Sequence, residues 1–437
     1  FFFTLPPCDL VLLPCSTKMR ASRVLRHVAR LSYGRATLAA GTLVAGGLVV
    51  HQLQIPAHCK KGFGHTSIYA WGGGMSGALG TGGTANSPAP SCVDALPGDP
   101  TQVACGDGFS ACVTAAGELY TWGQGRDGRL GHGDSSDSIY PRKVECEGVV
   151  SVGLGHCHAI AVTRAGGVLA WGRGFAGQLG LGDGKSHWKP ERLDLSGVTP
   201  PLDDVRVVAA ACGGSHSALL LASGEVLAFG RGDEGQLGDG QRSSSKAPVR
   251  LALPEGAKAK AVACGRDFTV VLLEDARVFC TGSDQYGQLG GGRHALCSAA
   301  PVEAISLRGE AISSVACGDL HAAAVSADGR IFTWGYGRAG QLGLGNTVDV
   351  AVPKEVQDLR GVASVACGRN HTVAVTRGGE ALAWGRGRDG QLGRGGELES
   401  PTAYRTTPVR VEALRPHLVL SVACGATHTL ARVLSTE

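Results

Sequence analysis

An all-β fold, a seven-bladed β-propeller, is predicted from two sequence blocks that each occur seven times and from the order in which they alternate. The first block places a short apolar run before a Trp-Gly pair and a Gln-Leu-Gly turn, as in LAWGRGFAGQLGLG from Leu169. The second block places an Ala-Cys-Gly turn before another apolar run, as in VACGRNHTVAVT from Val365. Copies of each block lie about 50 residues apart, which is near the period of a propeller blade.

An aromatic residue before the first glycine marks the first block. Its copies begin at Tyr69, Tyr120, Leu169, Leu227, Phe279, Phe332 and Leu382. The aromatic residues are Trp71, Trp122, Trp171, Phe229, Trp334 and Trp384, with Thr281 in the fifth copy. Short apolar runs bounded by glycine-rich turns are typical of β-strands.

The second block is joined to the first by a short turn. Its copies begin at Val103, Val152, Ala210, Val262, Val315, Val365 and Val422. The joining turn has a glycine at a fixed place in Gly117, Gly166, Gly224, Gly329 and Gly379, and Ala276 is the exception. Because glycine readily adopts a positive φ, each pair of blocks predicts a β-hairpin.

The order of the blocks predicts how the ring closes. The first block at Tyr69 has no copy of the second block before it, and the second block at Val422 has no copy of the first after it. A linear stack would leave both half-blades exposed, whereas a closed ring lets the C-terminal strand pair with the N-terminal one. Closure also protects strand edges from aggregation. The C-terminal segment is therefore expected to be indispensable for stability.

The pattern WGxGxxGQLG with VACGxxHTxAVT resembles the repeats of the regulator of chromosome condensation family, over residues 62–434. The fifth copy departs most, with Thr281 for Trp and Ser283-Asp284 in place of the glycine pattern. The resemblance implies a propeller without a covalent catalytic mechanism. Some members of this family act as guanine nucleotide exchange factors for small GTPases, so the resemblance also implies this activity as an alternative. No exchange residues can be matched in this sequence.

Composition excludes several classes of protein. Glycine accounts for 68 of 437 residues without a collagen period, which indicates many tight turns. The formal net charge is only +4, and no dense basic run indicates direct nucleic-acid binding. Six of the 15 cysteines recur at one repeat position, too far apart for disulfides, and no zinc spacing occurs. These six are predicted to be buried apolar side chains: Cys105, Cys212, Cys264, Cys317, Cys367 and Cys424.

Two motifs suggest chemistry but favour structural roles. Six copies contain GxGxxG, yet a Gln-Leu-Gly turn follows instead of the helix that a dinucleotide site needs. Five repeat histidines, His158, His216, His321, His371 and His428, are replaced by Phe109 and Phe268 in the other two copies. A site that tolerates an apolar ring is predicted to hold a packed histidine with a local hydrogen bond. We therefore expect no catalytic, cofactor or metal site.

Two groups of residues are candidates for binding a partner protein. Arginines gather in the turns of the first block and should share one face of the ring, as Arg126, Arg173, Arg231, Arg338, Arg386 and Arg388. That face could bind an acidic protein or a phosphate surface, or could be a solvated rim. Two insertions, Asp183–Arg206 and Gly396–Leu418, predict long recognition loops. The first contains the candidates Trp188, Lys189, Glu191 and Arg192 beside Pro190.

The amino terminus predicts an organellar address. Residues 1–18 contain no Met, so we expect them to be upstream or disordered sequence before a start at Met19. Residues 19–35 are rich in Arg and, like the whole stretch between Asp9 and Asp94, contain no acidic residue, which is typical of a mitochondrial presequence. The uncharged run Ala36–Val50 is a possible membrane anchor within residues 36–53, although a helix of that length falls short of a bilayer core. A cleaved presequence without an anchor and a secretory signal are the alternatives.

These observations predict a monomeric, non-enzymatic interaction scaffold in mitochondria, associated with the inner membrane. Family members with mitochondrial targeting imply a role in respiratory-complex assembly or in organellar RNA and ribosome maturation. A guanine nucleotide exchange factor for a small GTPase is the first alternative, and a chromatin-associated protein is the second. Cytoplasm or nucleus would be the corresponding locations.

Overall fold

The computed structural model describes residues 42–45, 48–51, 65–199, 201, 204–292, 295–396 and 404–435. Its strands, in chain order, open with β1 (Thr42–Ala45), β2 (Leu48–His51), β3 (Thr66–Gly72) and β4 (Ser87–Cys92). Two repeats follow as β5 (Pro100–Cys105), β6 (Phe109–Thr114), β7 (Leu119–Gly123), β8 (Ser138–Lys143), β9 (Val149–Leu154), β10 (His158–Thr163), β11 (Val168–Gly172) and β12 (His187–Arg192). The next two are β13 (Val207–Cys212), β14 (His216–Leu221), β15 (Val226–Gly230), β16 (Ser245–Arg250), β17 (Ala259–Cys264), β18 (Phe268–Leu273), β19 (Val278–Ser283) and β20 (Cys297–Glu303). The last are β21 (Ile312–Cys317), β22 (His321–Ser326), β23 (Ile331–Gly335), β24 (Val350–Glu355), β25 (Val362–Cys367), β26 (His371–Thr376), β27 (Ala381–Arg386), β28 (Tyr404–Arg410), β29 (Leu418–Cys424) and β30 (His428–Leu434).

Seven four-stranded antiparallel sheets form the blades, as the sequence predicts. Blade 1 has the order β29-β30-β3-β4, so it combines strands from both ends of the chain. Blades 2 to 7 each use four consecutive strands, from β5-β6-β7-β8 in blade 2 to β25-β26-β27-β28 in blade 7. The first strand of each blade is innermost, because these seven strands together line one axial cavity. The predicted hairpin of each repeat is the pair formed by the second and third strands.

The ring closes through β3 and β30. Their register runs without a break from Thr66 opposite Leu434 to Gly72 opposite His428. In blades 2 to 7 the equivalent glycine also lies opposite the His or Phe that begins the second strand, as Gly385 lies opposite His371. The closing sheet therefore has the same geometry as the sheets formed within one repeat.

Aromatic side chains fill the space between neighbouring blades. The side chains of Trp71, Trp122, Trp171, Trp334 and Trp384 are fully buried. The last glycine of the Gln-Leu-Gly turn makes room for the aromatic ring of the following blade, except at Gly238, which faces Thr281 and Leu251. At Gly343, where φ is +71°, a Cβ would lie 2.7 Å from the indole nitrogen of Trp384. The Trp-Gly and Gln-Leu-Gly motifs are thus two halves of one contact between blades.

The short turn between the second and third strands needs a left-handed residue. Gly117, Gly166, Gly224, Gly329 and Gly379 all have positive φ there, and Ala276 adopts the same conformation with φ of 69°. Alanine in this region is strained, because its Cβ crowds the following carbonyl oxygen.

The predictions for the amino terminus lie largely outside the described residues. Residues 1–18 and 19–35 are outside them altogether. Within 36–53 the structure describes only β1 and β2, which pair antiparallel with each other. Among the described residues there is no helix of the length and apolarity that a membrane crossing requires.

Candidate functional site

We call the upper face the side of the propeller that holds two sets of loops. The loops between the first and second strands lie near the axis, and the loops between the third and fourth strands lie near the rim. All seven blades run in the same direction around the ring, so equivalent loops lie on the same face. The repeat histidines, the candidate arginines and the axial cavity all belong to this half of the molecule.

The carboxyl ends of the innermost strands line the axial cavity. The six repeat cysteines lie there as free thiols. Cys212, Cys264 and Cys367 are buried as predicted, whereas Cys105, Cys317 and Cys424 are half-buried. Burial raises the pKa of the Cys264 and Cys367 thiols to about 12, so they stay protonated at neutral pH. The thiol of Cys105 points to Ala423 O of the neighbouring blade at 3.5 Å, and that of Cys212 to Gly153 O at 3.4 Å. Within the part of the chain that the structure describes, no cluster of His, Cys, Asp and Glu could hold a metal ion.

A network of charged side chains crosses the upper mouth of the cavity. Arg369 of blade 7 donates from Nη2 to Asp107 of blade 2 at 2.8 Å and from Nε to Asp319 of blade 6 at 3.0 Å. His156 of blade 3 lies with Nε2 3.2 Å from the second oxygen of Asp319. Four of the seven blades are therefore connected through side chains that lie in cavity-lining loops.

The network sets the protonation of its members. Burial opposes the charge on Asp319, but hydrogen bonds and charges from His156 and Arg369 outweigh it and lower its pKa to about 2. Burial likewise opposes protonation of His156, yet the hydrogen bond to Asp319 and the charges of Asp319 and Asp107 raise its pKa above the usual range. The His156–Asp319 contact is thus an ion pair whenever the imidazole is protonated.

Arg129 supports this network from below. Its guanidinium is buried and donates to the backbone carbonyls of Asp107 and His156, both at 3.1 Å, and to the side-chain oxygen of Gln124 at 2.7 Å. It replaces the Gln of the Gln-Leu-Gly turn found in most other repeats. The Arg129 guanidinium also lies 5.7 Å from the centroid of Phe109, one of the two residues that replace a repeat histidine.

The five repeat histidines join neighbouring blades. In each case Nε2 lies within hydrogen-bond distance of a Ser or Thr hydroxyl of the next blade: His158–Ser217, His216–Thr269, His321–Thr372, His371–Thr429 and His428–Ser110. Each hydroxyl donates to a backbone carbonyl: Gln178, Gln236, Gln341, Gln391 and Ala78, respectively. The hydroxyl is therefore an acceptor toward the histidine, whose Nε2 must carry the proton. The predicted packed role is confirmed, but the predicted local bond is wrong because the partner lies one blade away.

Burial keeps these histidines neutral. It lowers the pKa of His158 and His371 to about 3 and that of His216, His321 and His428 to about 4. The Nδ1 atom of each is buried without a hydrogen-bond partner among the described residues, which fits an unprotonated nitrogen. Such histidines hold the blades together and are inaccessible for acid–base chemistry.

The six candidate arginines share the upper face, since all lie at or between the ends of the third and fourth strands. Two are neutralised: Arg231 pairs with Asp233 at 2.9 Å, and Arg338 pairs with Asp349 at 3.2 Å. The other four make no ion pair with a described carboxylate, namely Arg126, Arg173, Arg386 and Arg388. These four lie on blades 2, 3 and 7, so the positive charge is concentrated on one side of the face.

The insertion that contains Trp188 differs from its predicted form. Trp188, Lys189, Glu191 and Arg192 belong to β12, the outer strand of blade 3, and not to a long loop. Every blade needs a fourth strand after its Gln-Leu-Gly turn, so the real excess of blade 3 begins only after Arg192. Trp188 is nevertheless half exposed, and Lys189 pairs with Glu145 of blade 2 at 3.3 Å.

The second predicted loop, Gly396–Leu418, is also only partly a loop. It contains β28 and a one-turn 3-10 helix at Glu412–Leu414, and residues 397–403 lie outside the described residues. The GxGxxG copies are turns that lead into a fourth strand, as their Gln-Leu-Gly continuation predicts.

Sequence reasoning missed the charged network at the cavity mouth. Its residues occupy the position directly after the repeated Cys-Gly or Leu-Gly, which holds Asp107, His156, Asp319 and Arg369 in four of the seven copies. A charged residue repeated at one place beside an otherwise apolar strand was the available signal. Their mutual contacts depend on the diameter of the ring, which no spacing along the chain reveals.

Family comparisons agree with this architecture. A family model described as the RCC1-like domain matches residues 145–436. A second model, described as the regulator of chromosome condensation (RCC1) repeat, matches residues 67–113 and 116–162.

Several curated proteins are similar in sequence. The chain is 32% identical to the Arabidopsis thaliana RCC1 domain-containing protein RUG3, mitochondrial, covering 84% of this chain and 88% of that protein. It is 35% identical to the ultraviolet-B receptor UVR8 of the same plant, over 67% of this chain and 54% of the receptor. It is 33% identical to the human E3 ubiquitin-protein ligase HERC2 over 70% of this chain, which spans only 5% of the ligase.

Solved structures share the fold. Human WBSCR16 superposes with a TM-score of 0.74 at 27% identity, covering 85% of this chain and all of that one. Yeast Prp20p, studied together with its binding to Gsp1p and histones, superposes with a TM-score of 0.75 at 22% identity, covering 89% of this chain and 96% of its own.

Proposed function

Because the chain belongs to the regulator of chromosome condensation (RCC1) family, we propose that it is a non-enzymatic scaffold that binds partner proteins in mitochondria. The observation that carries this proposal is the charge distribution of the upper face. Four exposed or half-exposed arginines lack carboxylate partners among the described residues, while the buried histidines and thiols of the ring are held in inert protonation states. A rigid ring with cationic loops is suited to recognition of other proteins.

Two independent features support the mitochondrial location. Residues 19–35 combine arginine with apolar residues and have no acidic residue. The relative RUG3, which carries a mitochondrial designation, is similar over most of both chains. In this proposal the apolar run within residues 36–53 associates the protein with the inner membrane, where its partners belong to respiratory-complex assembly or organellar gene expression.

Proximity labelling with the full-length chain tests location and neighbours together. The proposal predicts labelled mitochondrial proteins, and it predicts loss of that labelling when Arg20, Arg23, Arg26, Arg30 and Arg35 are all changed to Gln. Alkaline extraction of isolated mitochondria then tests the membrane association by itself. Labelling confined to nuclear or cytoplasmic proteins would refute the mitochondrial scaffold, while a protein released by alkali would refute only the anchor.

Guanine nucleotide exchange remains the alternative prediction. Prp20p supports this alternative only through its similar fold, because the two chains are just 22% identical. Nucleotide release from mitochondrial small GTPases, measured with the purified full-length chain, separates the two functions. Acceleration of release would replace the scaffold proposal by exchange activity.

A further inference from the structure

We propose that the upper face of blades 1 to 3 carries a docking surface for an acidic protein segment that also contains apolar side chains. This inference rests on the scaffold function proposed above and gives the scaffold a specific binding site. We call this surface the rim surface, and it consists of Met75, Arg126, Tyr140, Arg173, Phe175 and Trp188.

Residues of neighbouring blades lie side by side in the rim surface because the turn of each blade packs on the outer strand of the next. The turn Arg126–Gly128 of blade 2 contacts β12 of blade 3 so closely that a Cβ on Gly128 would overlap Trp188. In the same way, the turn Met75–Gly77 of blade 1 packs on β8 of blade 2, where a Cβ on Gly77 would lie 2.6 Å from the Cα of Ile139. Arg126 therefore lies beside Trp188, and Met75 lies beside the strand that carries Tyr140.

Large apolar side chains on this surface are unusually exposed. Met75 is 74% exposed and Phe175 is 65% exposed, and Tyr140 and Trp188 are each 51% exposed. Trp, Tyr, Phe, Met and Arg are the residue types enriched in protein interfaces, and Trp, Tyr and Arg dominate their energetic hot spots. The rim surface has this composition on three consecutive blades.

Charge distinguishes the rim surface from the opposite side of the ring. Arg126 and Arg173 form no ion pair with a described carboxylate, and the Arg173 guanidinium lies over the Phe175 ring at 5.8 Å. At the equivalent turns of blades 4 and 6, Arg231 and Arg338 are neutralised within their own blades. Carboxylates are thus the missing partners of the rim surface, and apolar groups between them would cover its exposed rings.

The same residues argue against a phosphate-rich partner. Asp127 follows Arg126 directly, Asp134 lies further along the same connection between β7 and β8, and Asp183 lies in the corresponding connection of blade 3. These carboxylates also pair with nearby cations, Arg129, Arg142 and His187, so the surface keeps only isolated positive charges, too few for the closely spaced phosphates of a nucleic acid or an anionic membrane. A protein segment can place its own acidic residues at the arginines alone.

Fluorescence anisotropy with defined probes tests the proposal on the full-length chain. The main probe is a labelled 16-residue peptide that alternates Glu-Glu with Leu-Phe pairs. Three comparison probes are polyglutamate of equal length, the same peptide with Gln for Glu, and a 16-nucleotide RNA. The proposal predicts tightest binding of the main probe, since only it supplies both carboxylates and apolar side chains.

Variants locate the binding. The double change Arg126→Glu and Arg173→Glu should weaken binding of the main probe by at least tenfold, and Trp188→Ala should weaken it by about tenfold. Arg338→Glu, at the turn position equivalent to Arg126, is the matched control and should change binding less than twofold. Trp188 packs on a neighbouring blade, so thermal melting is measured for every variant, and the arginine pair tests the surface without touching the core.

Several results would overturn the proposal. They are equal losses in Arg338→Glu and in the double arginine variant, equal binding of the main probe and of the uncharged peptide, or binding of the RNA alone. Concentration-dependent dimers abolished by the double variant would assign the surface to a second copy of the chain. Proximity labelling that remains mitochondrial and unchanged in the double variant would refute the rim surface while leaving the scaffold function intact.

Discussion

His321 of blade 6 donates a hydrogen bond from Nε2 to the hydroxyl of Thr372 in blade 7, across 2.9 Å. That hydroxyl in turn donates to the carbonyl oxygen of Gln341 in blade 6, which also accepts the indole N–H of Trp384 from blade 7. One histidine, one hydroxyl, one carbonyl and one indole thus connect two neighbouring blades. The same arrangement closes the ring, where Gln391 accepts from Thr429 and from Trp71, which come from opposite ends of the chain.

Where the histidine is missing, its partner is missing too. Phe109 of blade 2 faces a repeat in which Ala159 takes the place of Ser or Thr, and Phe268 of blade 5 is followed by Ala322 in blade 6. Each of these interfaces replaces both polar groups by apolar ones and leaves no hydroxyl without its partner. The sequence itself therefore contains two examples of a matched double substitution.

Replacing Thr372 by Ala should destabilise the protein by about 1–3 kcal/mol, because the buried N–H of His321 loses its acceptor. The double variant His321→Phe and Thr372→Ala copies the natural Phe268–Ala322 pair and should lose less stability than the sum of its two single changes, by about 1 kcal/mol. Denaturant unfolding of the four proteins gives this coupling. Strict additivity of the two single changes would show that the hydrogen bond contributes nothing across the interface.

Mild acid should destabilise the ring. The pKa of each of the five interblade histidines is lowered by burial to about 3 or 4, below the value near 6.5 expected when unfolded. The unfolded chain therefore binds more protons, and the stabilisation present above pH 6.5 is lost as the pH falls toward 4. Each histidine contributes at most about 1.4 kcal/mol per pH unit.

Thermal melting between pH 7.5 and pH 4.5 measures this effect. The double variant His158→Phe and Ser217→Ala removes one of the five histidines and should show a shallower decline than the wild-type chain. An equal slope in both proteins would mean that folding does not lower the pKa of His158.

The charged network at the cavity mouth should titrate in the opposite direction. Burial and the positive charge of Arg369 hold down the pKa of His156, but the hydrogen bond to Asp319 and the charges of Asp319 and Asp107 outweigh them and raise it above the usual range. Because the folded pKa is raised, the stabilisation from His156 is present at low pH and lost as the pH rises through that value. Arg369→Gln should raise the pKa of His156 further, as measured by NMR titration of its ring protons. A fall in that pKa would contradict the described geometry.

The turn between the second and third strands has glycine at this place in five blades, and Ala276 stands there in the sixth. A positive φ is unfavourable for alanine. Relief of this strain in Ala276→Gly exceeds the added freedom of the unfolded chain and should stabilise the protein by about 0.5 kcal/mol. The reverse change at the equivalent turn, Gly329→Ala, should destabilise it. Thermal melting of both variants provides the comparison, and a lower midpoint for Ala276→Gly would show that the turn is unstrained.

The fold could be predicted from the sequence because the same strand and turn motifs recur seven times. Seven copies in phase fix the blades, and the unmatched blocks at Tyr69 and Val422 fix the closure. The strand β12 was misjudged because its polar outer face, with Lys189 and Glu191, has no apolar alternation to mark it. The outermost strand of a blade packs on only one neighbour and tolerates such residues.

The candidate site could be predicted only in part. The arginines were found because a turn motif repeats around them, but the pairing of Arg338 depends on Asp349, a loop carboxylate that the motif does not contain. Arg231 pairs with Asp233 inside its own motif, and also with Asp267 of the next blade, which the motif does not contain. The contact between His156 and Asp319 joins residues on nearly opposite blades. Such contacts follow from ring closure and have no local sequence signature.

Disulfide trapping across β3 and β30 tests the closure of the ring most directly. Ser67 lies directly opposite Val433 in the antiparallel pair, where two cysteines can be bridged. The double variant Ser67→Cys and Val433→Cys should give a 67–433 disulfide on mild oxidation, found by mass spectrometry of the digested chain. The control pairs Ser67→Cys with Thr376→Cys, at the equivalent position of blade 7, and should give none. Failure to form the 67–433 link, or equal linking in the control, would contradict a blade 1 that combines strands from both ends of the chain.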